Sequence, residues 1–168
     1  NTVAIGMENI PKQGGYIFAA NHPLGALDAM VFILELGKVR RDIKFLVNDI
    51  LMNLENLQNL FIPVNKHGSN SLENLKRMDD VYASEQAVLI YPAGLVSRKQ
   101  NGKIKDLAWK KSFITRAKKS QKNIVPVYIE GMNTNFFYNL ANFRKKIGIK
   151  ANIEMLYLVD EMFHQKNK

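Results

Sequence analysis

Three histidines occur in the 168 residues, and one of them, His22, stands where an imidazole can act on a substrate. It follows an apolar run, Tyr16–Ala20, and precedes a segment that carries Asp28. A histidine at the mouth of a strand is open to a ligand. A carboxylate on the following turn can accept its Nδ1 proton, which puts the lone pair on Nε2 and stabilises the imidazolium that forms. That is general-base chemistry suited to a hydroxyl. Backbone N–H groups at the helix start, near Pro23–Ala26, or around Gly94, suit an oxyanion or another anion. The opposing reading makes His22 a helix cap and Asp28 a solvated residue, and spacing alone leaves both open. The chain has no cysteine, which excludes thiol nucleophiles, disulfides and Cys-ligated zinc. Ser97 lacks the Gly-x-Ser-x-Gly elbow of a serine hydrolase. No metal site is expected.

Three further polar segments fall where strands should end: Asn65–Gly68, Tyr91–Arg98 and Pro126–Gly131. In open α/β sheets, ligands bind beyond the carboxyl ends of the strands. Lys66 and the start of the next helix could together meet an anion, or Gly68 could simply turn the chain. Arg98 could contact substrate or pair with an acidic partner. His67 is a weaker candidate base, and His164, in a polar tail, is expected to be inert.

The elements that must position these groups alternate in type. Val3–Gly6, Tyr16–Ala20, Ile43–Val47, Phe61–Val64, Ala87–Tyr91, Ile124–Ile129 and Ala151–Leu158 read as strands. Helices are expected over Gly25–Leu36, Ile50–Leu57, from a cap near Asn70 and Glu73 through Ser84, over Leu107–Ser120, and over Phe136–Ile147. Strands separated by helices imply an α/β class with a mixed, largely parallel central sheet flanked by helices. No linker interrupts the chain, so residues 1–168 read as one domain. The first residue is Asn1 rather than Met, so the sequence reads as part of a longer protein.

Composition adds a charge pattern. The net charge is +9, and 46% of residues are hydrophobic, which excludes disorder. Between Ala93 and Asn123 ten basic residues face Asp106 alone. Such a stretch attracts phosphate, anionic lipid or an acidic protein, or is a solvated helix face. The predicted helix from Leu107 gathers Leu107, Trp109, Phe113, Ile114 and Ala117 opposite Lys111, Lys118 and Lys119. A nucleic-acid module is the alternative, but no aromatic platform is interleaved with the lysines.

The ordered segments resemble the signature blocks of the glycerolipid (lysophospholipid) acyltransferase family, of the 1-acyl-glycerol-3-phosphate acyltransferase type. There an Asn-His is followed by four residues and an Asp. Phe61-Ile62 is similar to the start of that family's Phe-Ile-Asp-Arg block, Tyr91-Pro92-Ala93-Gly94 to its Phe-Pro-Glu-Gly block, and Val125-Pro126-Val127 to its Val-Pro-Val strand. The nearest likeness is to a bacterial branch labelled hemolysin, whose members read Asn-His-Pro-Leu-Gly-Gly-Leu-Asp. The resemblance covers most of the chain. It implies a three-layer glycerol-3-phosphate-acyltransferase-like fold and one acyltransferase domain. It also implies an enzyme that moves a fatty acyl group from an acyl carrier protein or coenzyme A thioester to a lyso-lipid hydroxyl, with no cofactor. His22 would be the base and Asp28 its orienting acid. Asn21, Pro23, Gly25, Lys66, His67, Tyr91, Pro92, Gly94, Ser97 and Arg98 would bind substrate. The partner surface would be an anionic membrane, at the cytoplasmic face of the inner membrane, and no nucleic-acid partner is expected.

The departures are specific. Five residues, not four, separate His22 from Asp28, and the Pro23-Leu24-Gly25 turn would have to absorb the extra one. A silent member of the family is the rival reading of that spacing. The second block's arginine falls on Val64, and the third block's glutamate and arginine fall on Ala93 and Val96. Those side chains hold the acceptor's phosphate in the parent family, so their loss implies another head group. Members of this branch are associated with lyso amino-acid lipids, whose carboxylate suits a single basic group. Lysophosphatidate is the other acceptor considered.

Overall fold

In a computed structural model of the chain, residues 2–47, 55–64 and 71–165 are described. In chain order the regular elements are β1 (Tyr16–Ala20), α1 (Ala26–Leu36), β2 (Ile43–Val47), β3 (Phe61–Pro63), α2 (Leu72–Ala83), β4 (Ala87–Ile90), β5 (Arg98–Gln100), β6 (Lys103–Lys105), α3 (Ser112–Ser120), β7 (Asn123–Val127), α4 (Asn135–Lys146) and α5 (Leu158–Gln165). Short 3-10 turns lie at Met7–Asn9, Glu55–Leu60 and Ile153–Tyr157. By contact the chain divides into two units, residues 1–20, 35–92 and 111–127, and residues 21–34, 93–110 and 128–168.

The first unit is built on a five-stranded sheet in the order β3-β2-β4-β1-β7, and every pairing in it is parallel. Parallel strands buried on both faces need continuous apolar runs rather than alternation. Ile17 to Ala20 in β1 and Ala87 to Leu89 in β4 are such runs, each residue at most 1% exposed. Ile17, Ile62 and Val88 from the sheet pack with Met78 and Tyr82 of α2 and Ala117 of α3 in one cluster. Each large apolar side chain buried this way contributes about 1.5–3 kcal/mol. The Ser71 hydroxyl accepts from the Asn74 N–H and starts α2. At the other end of α2, Lys122 Nζ donates to the carbonyls of Val81, Ser84 and Gln86, a cation at the negative end of a helix.

The second unit holds most of α1, the antiparallel β5–β6 hairpin, α4 and α5. Val96, Phe137 and Tyr138 form its fully buried cluster, with Ile104, Met155 and Leu158 against them. Beside the cluster lies a buried ion triad. Glu154, with no exposed surface, accepts from Arg98 Nη2 at 2.6 Å and from Arg144 Nε at 2.5 Å. Among the described residues no helix is long and apolar enough to cross a membrane.

The α/β class stands, while several element boundaries differ from the sequence expectation. Among the described residues the central sheet, expected to be largely parallel, is parallel throughout, and antiparallel pairing occurs in the β5–β6 hairpin. Val3–Gly6 is not a strand, since Val3 and Ile5 are 82% and 93% exposed. The helix expected from Leu107 begins only at Ser112, because residues 107–110 are irregular and the Trp109 indole bonds back to Asp106. Ala151–Leu158 is not a closing strand but a 3-10 turn leading into α5. Its alternation misleads because the apolar Leu156 faces out at 80% exposure while the charged Glu154 faces in. Of the helix expected over Ile50–Leu57, residues 50–54 lie outside the described residues, and Glu55–Leu60 is a 3-10 turn. Asn70 also lies outside them.

Candidate active site

Asn21 follows β1 directly, and its side chain acts as one more rung of backbone. Its Nδ2 donates to the Ile129 carbonyl at 2.8 Å while its Oδ1 accepts from the Ile129 N–H at 2.6 Å. His22 comes next, and Pro23 then removes a donor and breaks the extended run. Gly25 turns the chain with φ +81°, a conformation that glycine adopts without steric cost. A Cβ there would stand 2.8 Å from Leu158 Cδ1 and 3.3 Å from Val96 Cγ2, so the position also lacks room for a side chain. α1 begins one residue later and carries Asp28 in its first turn, where the helix dipole favours a negative charge.

The result is a histidine–aspartate pair. His22 Nδ1 lies 2.9 Å from Asp28 Oδ2, with the imidazole 17% exposed and the carboxylate fully buried. The same Oδ2 accepts from the N–H groups of Leu24 at 2.9 Å and Gly25 at 3.1 Å. Two N–H donors on that oxygen mark it as an acceptor, so the pair is placed for Nδ1 to donate to Asp28, the arrangement in which Nε2 of a neutral ring serves as the base. The five-residue spacing is absorbed by the Pro23–Gly25 turn, which folds back onto the acid it precedes. Those two N–H groups, expected to serve an oxyanion, are instead committed to Asp28.

The backbone of His22 is held as well. Its carbonyl accepts from the Ser97 N–H at 2.8 Å, and its own N–H donates to Asp106 Oδ1 at 3.2 Å. Ser97 Oγ donates to the same Asp106 oxygen at 2.6 Å. Under the turn, the buried Asn133 donates from Nδ2 to the Pro23 carbonyl at 3.3 Å, and its N–H donates to the Tyr138 hydroxyl at 3.0 Å. Burial raises the Tyr138 phenol above its ordinary value, with the nearby Glu161 and Asp28 charges adding to the shift. Nothing in the sequence pattern singled out Asn133. Asp106 was visible only as the one acid in a basic stretch.

The remaining candidates are placed as follows. Ser97 meets His22 through its N–H, while its hydroxyl is spent on Asp106. Arg98 is 7% exposed: besides Glu154, its guanidinium reaches the Val96 carbonyl at 2.7 Å and lies over the Phe137 ring at 5.2 Å. Of its two readings, contact with substrate or pairing with an acid, the second describes what it does. Burial lowers its pKa, and the Glu154 charge opposes that shift. Asn21 spends both ends of its amide on Ile129. Pro23 and Gly25 are buried in the turn, and Gly94 turns the chain with φ +70°. Tyr91 and Pro92 belong to the first unit, immediately after β4. Lys66 and His67 lie outside the described residues. His164, on α5, is exposed, with Nδ1 2.8 Å from the Asp160 carbonyl.

The sequence profile of one family, described as acyltransferase, matches residues 2–168. The chain is 48% identical over 164 residues to a curated lyso-glycine lipid O-acyltransferase of Phocaeicola vulgatus, covering 97% of this chain and 59% of that protein. It is 47% identical over 164 residues to a lyso-glycine lipid O-acyltransferase of Bacteroides thetaiotaomicron, covering 97% of this chain and 60% of that one. The chain thus spans about three fifths of the length of these relatives. No solved structure matches it.

Proposed function

Because the chain belongs to the acyltransferase family, we propose that the protein it comes from acylates the hydroxyl of a lyso-glycine lipid, with His22 as general base. Two curated relatives carrying that name, each nearly half identical over almost the whole chain, support the acceptor. The observation that carries the chemistry is the 2.9 Å contact between His22 Nδ1 and a fully buried Asp28 carboxylate. In the proposed reaction, Nε2 takes the proton of the acceptor hydroxyl as its oxygen attacks the carbonyl carbon of an acyl thioester. The tetrahedral intermediate expels the thiolate, the imidazolium returns its proton to that sulfur, and an ester and a free thiol leave. Asp28 orients the ring and stabilises its cationic form during the interval. The donor is an acyl carrier protein or coenzyme A thioester.

The glycine head group offers one carboxylate where lysophosphatidate offers a phosphate. The absence of arginine at Val64 and Val96, and of glutamate at Ala93, favours the lighter anion. Full-length protein assayed with acyl-carrier-protein and coenzyme A thioesters against the two lyso-lipids tests this. Turnover of lyso-glycine lipid well above lysophosphatidate is expected, and a preference for lysophosphatidate would overturn the acceptor.

The acceptor lives in a membrane, and the end of α4 supports attachment to one. Phe143, Ile147 and Ile149 are 60%, 52% and 39% exposed, and the exposed Lys145, Lys146 and Lys150 stand among them. Apolar side chains that enter the interface beside cations that meet anionic head groups form a peripheral attachment face.

A further inference from the structure

We propose that Asp106 is the positioning residue of the base, holding His22 so that Nε2 meets the acceptor hydroxyl. The proposal rests on the acyl-transfer reading above. The bond from Nδ1 to Asp28 fixes the imidazole at one atom, while the other end of the side chain moves with the backbone of His22. Orientation needs further points, and the backbone of His22 supplies them: its N–H is tied to Asp106 and its carbonyl to Ser97.

Asp106 unites these ties. Oδ1 accepts from the His22 N–H at 3.2 Å and the Ser97 hydroxyl at 2.6 Å, and Oδ2 accepts from Trp109 Nε1 at 2.9 Å. Its backbone carbonyl also accepts from Gln100 Nε2 at 3.4 Å, which ties the backbone of Asp106 to the β5–β6 hairpin. Ser97, 4% exposed, closes a ring in which Asp106 and Ser97 grip the same residue from its two backbone ends. These bonds spend an acid in the most basic part of the chain on fixing a backbone, although ten cations lie within the same stretch. A misplacement of about 1 Å can cost about 10²-fold in rate, which is the scale on which such an anchor acts.

Full-length Asp106→Ala is expected to lower kcat by about 10–100-fold, with KM for the lyso-lipid unchanged. Asp106→Glu keeps the charge but shifts the anchor, so it folds and lowers kcat in the same sense. Asp106→Asn keeps an acceptor for His22 and Ser97 and restores most of the rate. In a His22→Ala background, Asp106→Ala costs nothing more, because the two act as a unit. If His22→Ala itself keeps wild-type turnover, the acyl-transfer reading fails and takes this proposal with it. If His22→Ala is inactive while folded Asp106→Glu turns over like wild type, the reading stands and the positioning role is overturned. A further loss from Asp106→Ala in the His22→Ala background also overturns it.

Discussion

Three groups converge on one oxygen of Asp28: Nδ1 of His22, the base of the proposed reaction, and the N–H groups of Leu24 and Gly25. The N–H groups of Leu24 and Gly25 hold the carboxylate in place and keep its charge acceptable without water, so the imidazole meets a fixed acceptor. Asp28→Asn is expected to keep the turn but to present an NH₂ or a neutral oxygen to Nδ1, losing tautomer control. Turnover should fall by about 10²–10⁴-fold with the thermal midpoint nearly unchanged, a combination read by kinetics and calorimetry together. Gly25→Ala should behave differently. A φ of +81° and a Leu158 methyl 2.8 Å from the new Cβ make it a folding defect of about 1–3 kcal/mol in urea titration. Unchanged stability in that variant would mean that the turn has more freedom than its geometry implies.

Buried ions and hairpins decide how the elements carry the site. Arg98 and Arg144 share Glu154, whose side chain has no exposure. Removing Arg98 leaves Glu154 with Arg144 as its remaining cation and costs a charge-assisted hydrogen bond, about 1.5–3 kcal/mol. Arg98→Met should therefore lower stability by that order in denaturant unfolding. A stable variant with a raised KM for the lyso-lipid would instead assign Arg98 to substrate. The parallel-sheet strands were readable because long apolar runs have few other fates, and α2 and α4 were readable from apolar spacing, although their caps are Ser71, not Asn70, and Thr134, which the pattern did not mark. The β5–β6 hairpin was missed because its strands are three residues each and almost wholly basic or polar, although Asn101-Gly102 between them, both with positive φ, is a strong two-residue turn signal. Glu154 misled in the other direction, because an inward glutamate needs cationic partners, and one of its two arginines, Arg98, lies 56 residues away in sequence. At the site, the His22–Asp28 pair was legible from type and order. The grip of Asp106 and Asn133 was not, since both act on backbone atoms of a turn whose path the sequence pattern does not specify.

For the molecule as a whole, the net charge of +9 overstates the free basic surface. Of the ten cations between Ala93 and Asn123, Arg98 is paired with Glu154, Arg116 with Asp79, and Lys122 with three carbonyls. The proposed membrane attachment therefore draws on the α4 end as much as on that stretch. Each lysine near an anionic leaflet contributes about 1 kcal/mol, so Lys145→Glu with Lys146→Glu should strongly reduce co-sedimentation of the full-length protein with phosphatidylglycerol vesicles. Binding to phosphatidylcholine vesicles should be weak already, and added salt should weaken the anionic case further. Equal binding of wild type and double variant would place the attachment elsewhere.

The proposed reaction depends on one imidazole acting as the base. The direct measurement is acyl transfer to lyso-glycine lipid by full-length His22→Ala, with circular dichroism recorded on the same preparation. A folded variant whose turnover is lower by about 10²–10⁴-fold is the expected result. A folded variant that still acylates at the wild-type rate would contradict it.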